Sequence, residues 1–184
     1  MLDTVQTRPD RVDIKALQLP LRETYARLPS AAQITDHART RCDTVPANQP
    51  LYGTVEFGDP NRTRLPIALH EGVGGRSDQP VPGELLCGAV ASCLDSTIRV
   101  IANMFGVSIR TLEVEVSADV DLRGTLRMDP LVPVAFQSLQ VDANIVPEGD
   151  VPSAHLDAIL AAAEQSCVVL QSLRQSPEIT VARR

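Results

Sequence analysis

Four cysteines and three histidines are the side chains of this 184-residue sequence with the widest chemical reach, and their spacing decides what they can do. Cys42, Cys87, Cys93 and Cys167 are spread too widely for the paired CxxC spacing of a zinc site, and His37, His70 and His155 do not cluster with them. No metal and no cofactor is expected. Thiol redox chemistry needs a nucleophilic cysteine held as thiolate, a positive charge or helix end to stabilise it, and often a second cysteine that resolves the oxidised product. Cys93 and Cys167 could be such a pair. Cys93 falls in the middle of a long apolar stretch, so its own helix terminus cannot lower its pKa, and a cation from elsewhere is required. Cys167 follows Ser166, which could cap a new turn and place the thiol at a helix start, provided the helical pattern of residues 153–174 breaks there. The plain alternative is that both are small core hydrophobes, since cysteine is among the most buried residue types.

The elements that must position these residues follow from pattern. Residues Gly83 to Phe105, GELLCGAVASCLDSTIRVIANMF, are apolar on almost every face of the first three turns, which predicts a central buried helix stopped by Gly106. Next comes strict alternation, with Leu112, Val114, Val116, Ala118, Val120 and Leu122 on one face and Glu113, Glu115, Ser117, Asp119 and Asp121 on the other. Leu139, Val141, Ala143 and Ile145 alternate in the same way with Gln140, Asp142 and Asn144. Two long strands, paired antiparallel and wet on one face, are expected. A last helix begins at Ser153, read as an N-cap after Pro152, and runs through HLDAILAAAEQSCVVLQSLR, after which PEITVA reads as a short strand.

Upstream, Tyr52 to Phe57 and Leu65 to His70 flank the turn formers GDPNR and predict a hairpin. The Gly- and Pro-rich EGVGGRSDQPVPG then reads as a loop entering the central helix. Residues 1 to about 45 form an extension in which Pro20 and Pro29 bracket one short helix. Its own core is too small, so it must pack on the main body, residues 46–184, or on a second subunit. The order of elements is that of an α+β fold, and a helix apolar all round needs protein on every side. A homodimer is the economical way to supply it.

Composition narrows the function classes. Hydrophobic residues make up 43% and charged residues 22%, within the globular range, and the length suits one domain with a modest extension. A net charge of −6, only 3% aromatics and no Trp argue against nucleic acid, which needs basic surface and stacking rings. The first thirty residues show no basic start followed by an apolar run, so a cytoplasmic protein with reduced thiols is expected. The strongest uncharged apolar run, Leu85 to Leu94, is about half of the roughly 20 residues a membrane helix requires. No membrane partner is expected.

Two stretches carry a resemblance. PGELLCGAVASCLDSTIRVIANMFG resembles the first cysteine motif of the osmotically inducible protein C (OsmC) and organic hydroperoxide resistance superfamily: a Pro and an acidic residue, then a small-residue helix ending in Ala-x-Cys. AEQSCVVLQSL resembles that family's Ala-Glu-x-x-Cys-Pro-[Val/Tyr]-Ser-x-x-Leu motif. Both cysteines match in the right order, with the strand pair between them, and the similarity covers roughly residues 50 to 184. The resemblance implies an intertwined homodimer, with sheets wrapped around central buried helices and active sites at the subunit interface. It also implies roles: Cys93 attacks an organic hydroperoxide, Cys167 resolves the sulfenic acid, and an Arg and a Glu hold the thiolate. A dithiol such as a lipoylated protein then reduces the disulfide.

This sequence departs from the pattern at three points. In the peroxidase branch the Glu directly follows the Pro, whereas here Gly83 follows Pro82 and the acidic residue is Glu84, as in the OsmC-like branch. Glu84 could equally act in catalysis or cap the helix N-terminus, where the macrodipole favours a carboxylate. Val168 replaces the Pro after the second cysteine. No local motif selects among Arg39, Arg41, Arg62, Arg64 and Arg76 for the arginine role. Two readings follow: a two-cysteine hydroperoxide reductase with Leu86, Val90 and Leu94 lining its substrate pocket, or a noncatalytic dimer that binds a small apolar ligand and keeps its cysteines as core. A metal site ranks third, for want of clustered ligands.

Overall fold

An alternating strand pair with one wet face needs an apolar partner layer, and in the computed structural model that layer is the long central helix. The residues described are 12–58 and 63–183. In chain order they form α1 (Ile14–Arg27), β1 (Ala38–Thr40), β2 (Tyr52–Phe57), β3 (Thr63–Ala68), α2 (Pro82–Met104), β4 (Ile109–Val120), α3 (Leu122–Thr125), β5 (Phe136–Pro147), α4 (Ser153–Ser166) and α5 (Val168–Arg174). The fold is α+β, with one sheet of order β1-β2-β3 and a second made of β4 and β5, all antiparallel.

β4 and β5 pair with Val114 opposite Ala143 and Val116 opposite Val141. Their inward side chains, among them Leu112, Val114, Val116, Leu139 and Val141, pack against the core, while Glu113, Glu115, Ser117 and Asp119 face solvent. The alternation therefore places each face as expected. It does not reach Leu122: Asp121 leaves the strand, accepts the Arg123 N–H at 3.0 Å and caps α3. Truncating Val114 or Val116 to Ala should cost on the order of 1 to 3 kcal/mol. Ala at Glu115 or Asp119 should shift stability by less than about 0.5 kcal/mol. Urea midpoints that move equally for the two faces would contradict this packing.

On the other side of α2 lie α4 and α5. Val90, Leu94, Ile98 and Ala102 recur every four residues along α2 and meet Ile159, Ala163, Cys167 and Leu170 in one buried cluster. Val90, Ile98 and Ile159 are fully buried, each worth roughly 1.5 to 3 kcal/mol relative to exposure. Gly106, in the left-handed region at φ 73°, ends α2 as expected. By length and composition α2 could cross a bilayer, but here its apolar stripe is spent on the chain's own core. One chain encloses only that stripe. Gly88, Ser92, Ser96, Arg99 and Asn103 run down the opposite side and are exposed, so the helix is not apolar on every face.

Several local expectations are corrected. Pro20 lies inside α1 rather than bounding it, because only one backbone donor is lost there and Thr24 Oγ1 bonds the Pro20 carbonyl at 2.8 Å. The hairpin's second strand begins at Thr63, earlier than expected, with Tyr52 opposite Ala68, while residues 59–62 of the GDPNR turn lie outside the described residues. β1, within the N-terminal extension, was not anticipated; it pairs with β2 with Arg39 opposite Glu56. Pro152, not Ser153, is the N-cap of α4. PEITVA forms no strand: Ile179 and Val181 are exposed and pair with no sheet edge among the described residues.

α1 is tied to the body by Asn103, whose side chain accepts the Ile14 N–H at 3.0 Å and donates to the Val12 carbonyl at 2.8 Å. Leu17, Leu19 and Leu21 nevertheless stay about half exposed on that helix.

Candidate active site

Cys93 lies one residue before Leu94 in the buried stripe of α2, and is itself half-buried. Thr97 Oγ1 bonds its carbonyl at 2.7 Å, an ordinary helical back-bond that leaves the thiol free. Cys167 sits across the core, fully buried, at the junction of α4 and α5. The expected break in the last helix is there. It falls on Cys167 itself, which adopts φ −77°, ψ 103°, while Ser166 ends α4 rather than capping α5. The two helices are bent by 65° at this point.

Cys167, at the bend, lies near enough to Cys93 for the two thiols to influence each other. Burial pushes the Cys167 thiol above its usual range, the Leu170 backbone N–H opposes this, and the Cys93 thiol beside it pushes the pKa up again. Both cysteines are free thiols. Within one chain the two predicted cysteines share one core, Cys167 in the buried cluster and Cys93 packed against it.

A cavity of about 780 Å³ opens between β5, α2, α4 and α5; neither cysteine lines it, although Leu94, the residue after Cys93, does. Leu86, Leu94, Phe136, Val141, Leu160 and Leu170 give it an apolar wall, and Glu164 and Arg174 stand at its polar side. Leu86 and Leu94 therefore line it as expected. Val90 does not: it is fully buried, whereas Leu94 and Leu170 of the same cluster keep some exposed surface. Gly83, where the peroxidase branch has Glu, lies under the Phe136 ring: a Cβ there would come within 3.3 Å of Phe136 Cζ. The glycine is what lets that ring reach the start of α2.

Glu84 is exposed on the first turn of α2, and its Oε2 accepts the Val81 N–H at 2.9 Å. This is the capping half of the two roles weighed for it. The arginines gather elsewhere. Arg39 and Arg64 each donate through Nε to the buried Glu56 carboxylate at 3.0 Å, and Arg41 Nε stands 3.9 Å from it. Arg64 also pairs with Asp43 at 3.0 Å. Arg39 beside Glu56 holds that carboxyl below the ordinary glutamate range, with burial opposing and Arg64 assisting. This cluster belongs to the three-stranded sheet, not to the helices that carry the thiols. Arg76 is in the loop before α2, its N–H bonded to the Leu69 carbonyl at 3.1 Å, and Arg62 lies outside the described residues.

Glu56 was missed in the sequence. The signal was present: counting along β2 puts Tyr52, Thr54 and Glu56 on one face, and the hairpin register sets Arg64 opposite the carboxylate.

Comparison with known proteins bears on the fold and the family. No curated protein sequence matches the chain. Solved structures do. An organic hydroperoxide resistance protein from Legionella pneumophila superposes with a TM-score of 0.58 at 20% identity, covering 77% of this chain and 90% of its own. An OsmC-like protein of unknown function from Vibrio cholerae gives 0.62 at 14% identity, covering 76% and 94%. An organic hydroperoxide resistance protein from Elizabethkingia anophelis gives 0.57 at 16%, covering 78% and 91%. At these identities the likeness is one of fold. The family model described as OsmC-like protein matches residues 75–182, which include α2, both long strands, the α4–α5 junction and both cysteines. Family model and fold agree, and the chain belongs to the OsmC-like protein family.

Proposed function

We propose that this protein is a two-cysteine peroxidase that reduces organic hydroperoxides. The observation that supports the reading is a half-buried Cys93 close enough to the fully buried Cys167, at a helix break, for its thiol to act on the Cys167 thiol, with an apolar cavity lined by the neighbouring Leu94 and Leu170. Cys93 as thiolate attacks the distal oxygen of the hydroperoxide; the O–O bond breaks, the alkoxide takes a proton and leaves as alcohol, and Cys93 becomes a sulfenic acid. Cys167 then attacks that sulfur, forming a disulfide and releasing water. A dithiol such as a lipoylated protein reduces the disulfide to two thiols and is itself oxidised to its cyclic disulfide. The apolar wall suits the organic portion of the substrate. Glu84 acts by fixing the start of α2 rather than at the sulfur, and the working unit is a cytoplasmic homodimer.

The burial of Cys167 has a kinetic signature. Because its pKa is raised, the resolving thiolate is scarce at neutral pH, and disulfide closure should accelerate steadily as pH rises toward the ordinary thiol range. Stopped-flow measurement of closure from pH 6 to 9, after one equivalent of oxidant, checks this; a rate independent of pH would contradict it. The same shift lowers the stability of the reduced fold as pH rises past that range, since the unfolded chain ionises Cys167 and the folded one does not.

The cavity also favours a second reading, a noncatalytic dimer that holds a small apolar ligand against Leu86, Leu94 and Leu170. Consumption of tert-butyl hydroperoxide by the reduced protein with dihydrolipoamide decides between them. Turnover supports the peroxidase; thiols that stay reduced support the binding protein.

A further inference from the structure

A 65° break between two packed helices leaves backbone groups without their helical partners, and something must hold the two halves at a fixed angle. In an unbroken helix the Glu164 carbonyl would accept the Val168 N–H. Here it accepts Gln171 Nε2, at 2.9 Å, from the far side of the break. The Glu164 carboxylate is paired with the Arg174 guanidinium, also on α5. Glu164 thus binds α5 twice, once through its backbone and once through its side chain, three residues before the buried thiol. At the start of α5 the only groups acting on the Cys167 sulfur are the Leu170 and Val169 backbone N–H groups, and Val168, where the family motif has proline, is 68% exposed.

We propose that Glu164, Gln171 and Arg174 are positioning residues for disulfide closure, a clamp that holds the α4–α5 break at the angle that sets the Cys167 sulfur against Cys93. The clamp substitutes for the ring that would otherwise start α5. Gln171 is the stronger member, because its bond is partly buried and its loss orphans a carbonyl. Arg174 and Glu164 are about half exposed, so solvent screens their pairing. The inference rests on the two-cysteine reading, and the experiment separates the two.

The test uses the full chain, reduced and then given one equivalent of tert-butyl hydroperoxide, with Gln171→Leu, Arg174→Met and Arg174→Lys beside wild type. Two rates are read: loss of the Cys93 thiol, and closure of the link, with a dimedone-type probe catching sulfenic acid that waits. Gln171→Leu should oxidise Cys93 at the wild-type rate yet close about 10- to 100-fold more slowly, the cost of a thiol displaced by roughly an ångström. Arg174→Met should slow closure less, and Arg174→Lys should restore it. If Gln171→Leu does not fold, the contrast between Met and Lys at position 174 decides alone. Closure at the wild-type rate in both Gln171→Leu and Arg174→Met, with wild type forming the link, overturns the clamp and leaves the two-cysteine reading intact. Both rates falling together with the melting temperature also overturns it, since a merely structural role acts so. A wild type that forms no link removes both.

Discussion

Cys93→Ser should abolish consumption of an organic hydroperoxide, because a serine hydroxyl stays protonated near neutral pH and is a poor nucleophile without a strong base. Cys167→Ser should fail differently. The attacking thiol remains, so each subunit should react once and stop, leaving a sulfenic acid that a dimedone-type probe labels on Cys93. With tert-butyl hydroperoxide and a dithiol in excess, wild type turns over, Cys93→Ser consumes nothing and Cys167→Ser consumes about one equivalent per subunit. Full turnover in Cys93→Ser would show that the sulfur pair is core and not machinery. The buried setting of Cys167 makes the contrast informative, since Ser adds a hydroxyl to an apolar site but leaves α2, and the Cys93 that it carries, in place.

The second large effect expected is on assembly. One chain leaves the leucines of α1 half exposed, the Gly88, Ser92 and Ser96 side of α2 bare, and Ile179 and Val181 without a strand to join among the described residues. Bare small residues along a long helix invite close approach by another helix, and an extended tail of alternating apolar residues invites a sheet edge. A second copy supplies both. If folding and association are one event, each tenfold dilution should cost about 1.4 kcal/mol per dimer and lower the melting temperature by on the order of 2 °C. Scattering at micromolar concentration should give the dimer mass. A folded monomer whose melting temperature ignores dilution would contradict the assembly.

What the sequence made legible were the features written in local pattern. Alternation from Leu112 to Ala118 placed a strand face correctly, Val120 falling beyond a register shift and staying exposed, and Gly106 ended α2 in the left-handed region. The cysteine pair was legible through its motifs, although the helix break had to be assumed, since no Gly or Pro marks it. Less visible were features decided by contacts distant in sequence. Pro20 looked like a boundary because nothing local shows that α1 can carry it. Glu56 looked like an ordinary strand carboxylate until β1 and β3 brought Arg39 and Arg64 to it. Val90 looked like pocket lining, but it is fully buried and only its stripe neighbour Leu94 reaches the cavity. PEITVA had the composition of a strand, and what it lacks is an edge among the described residues.

The central claim is that Cys93 and Cys167 form one redox unit, and mass spectrometry of the oxidised protein tests it most directly. Reduced wild type, treated with one equivalent of tert-butyl hydroperoxide and digested under conditions that block thiol exchange, should yield a single linked species joining the Cys93 and Cys167 peptides, reversed by a dithiol, with Cys42 and Cys87 unlinked. An oxidised protein with no Cys93–Cys167 link, or with its links at Cys42 or Cys87, would contradict the account.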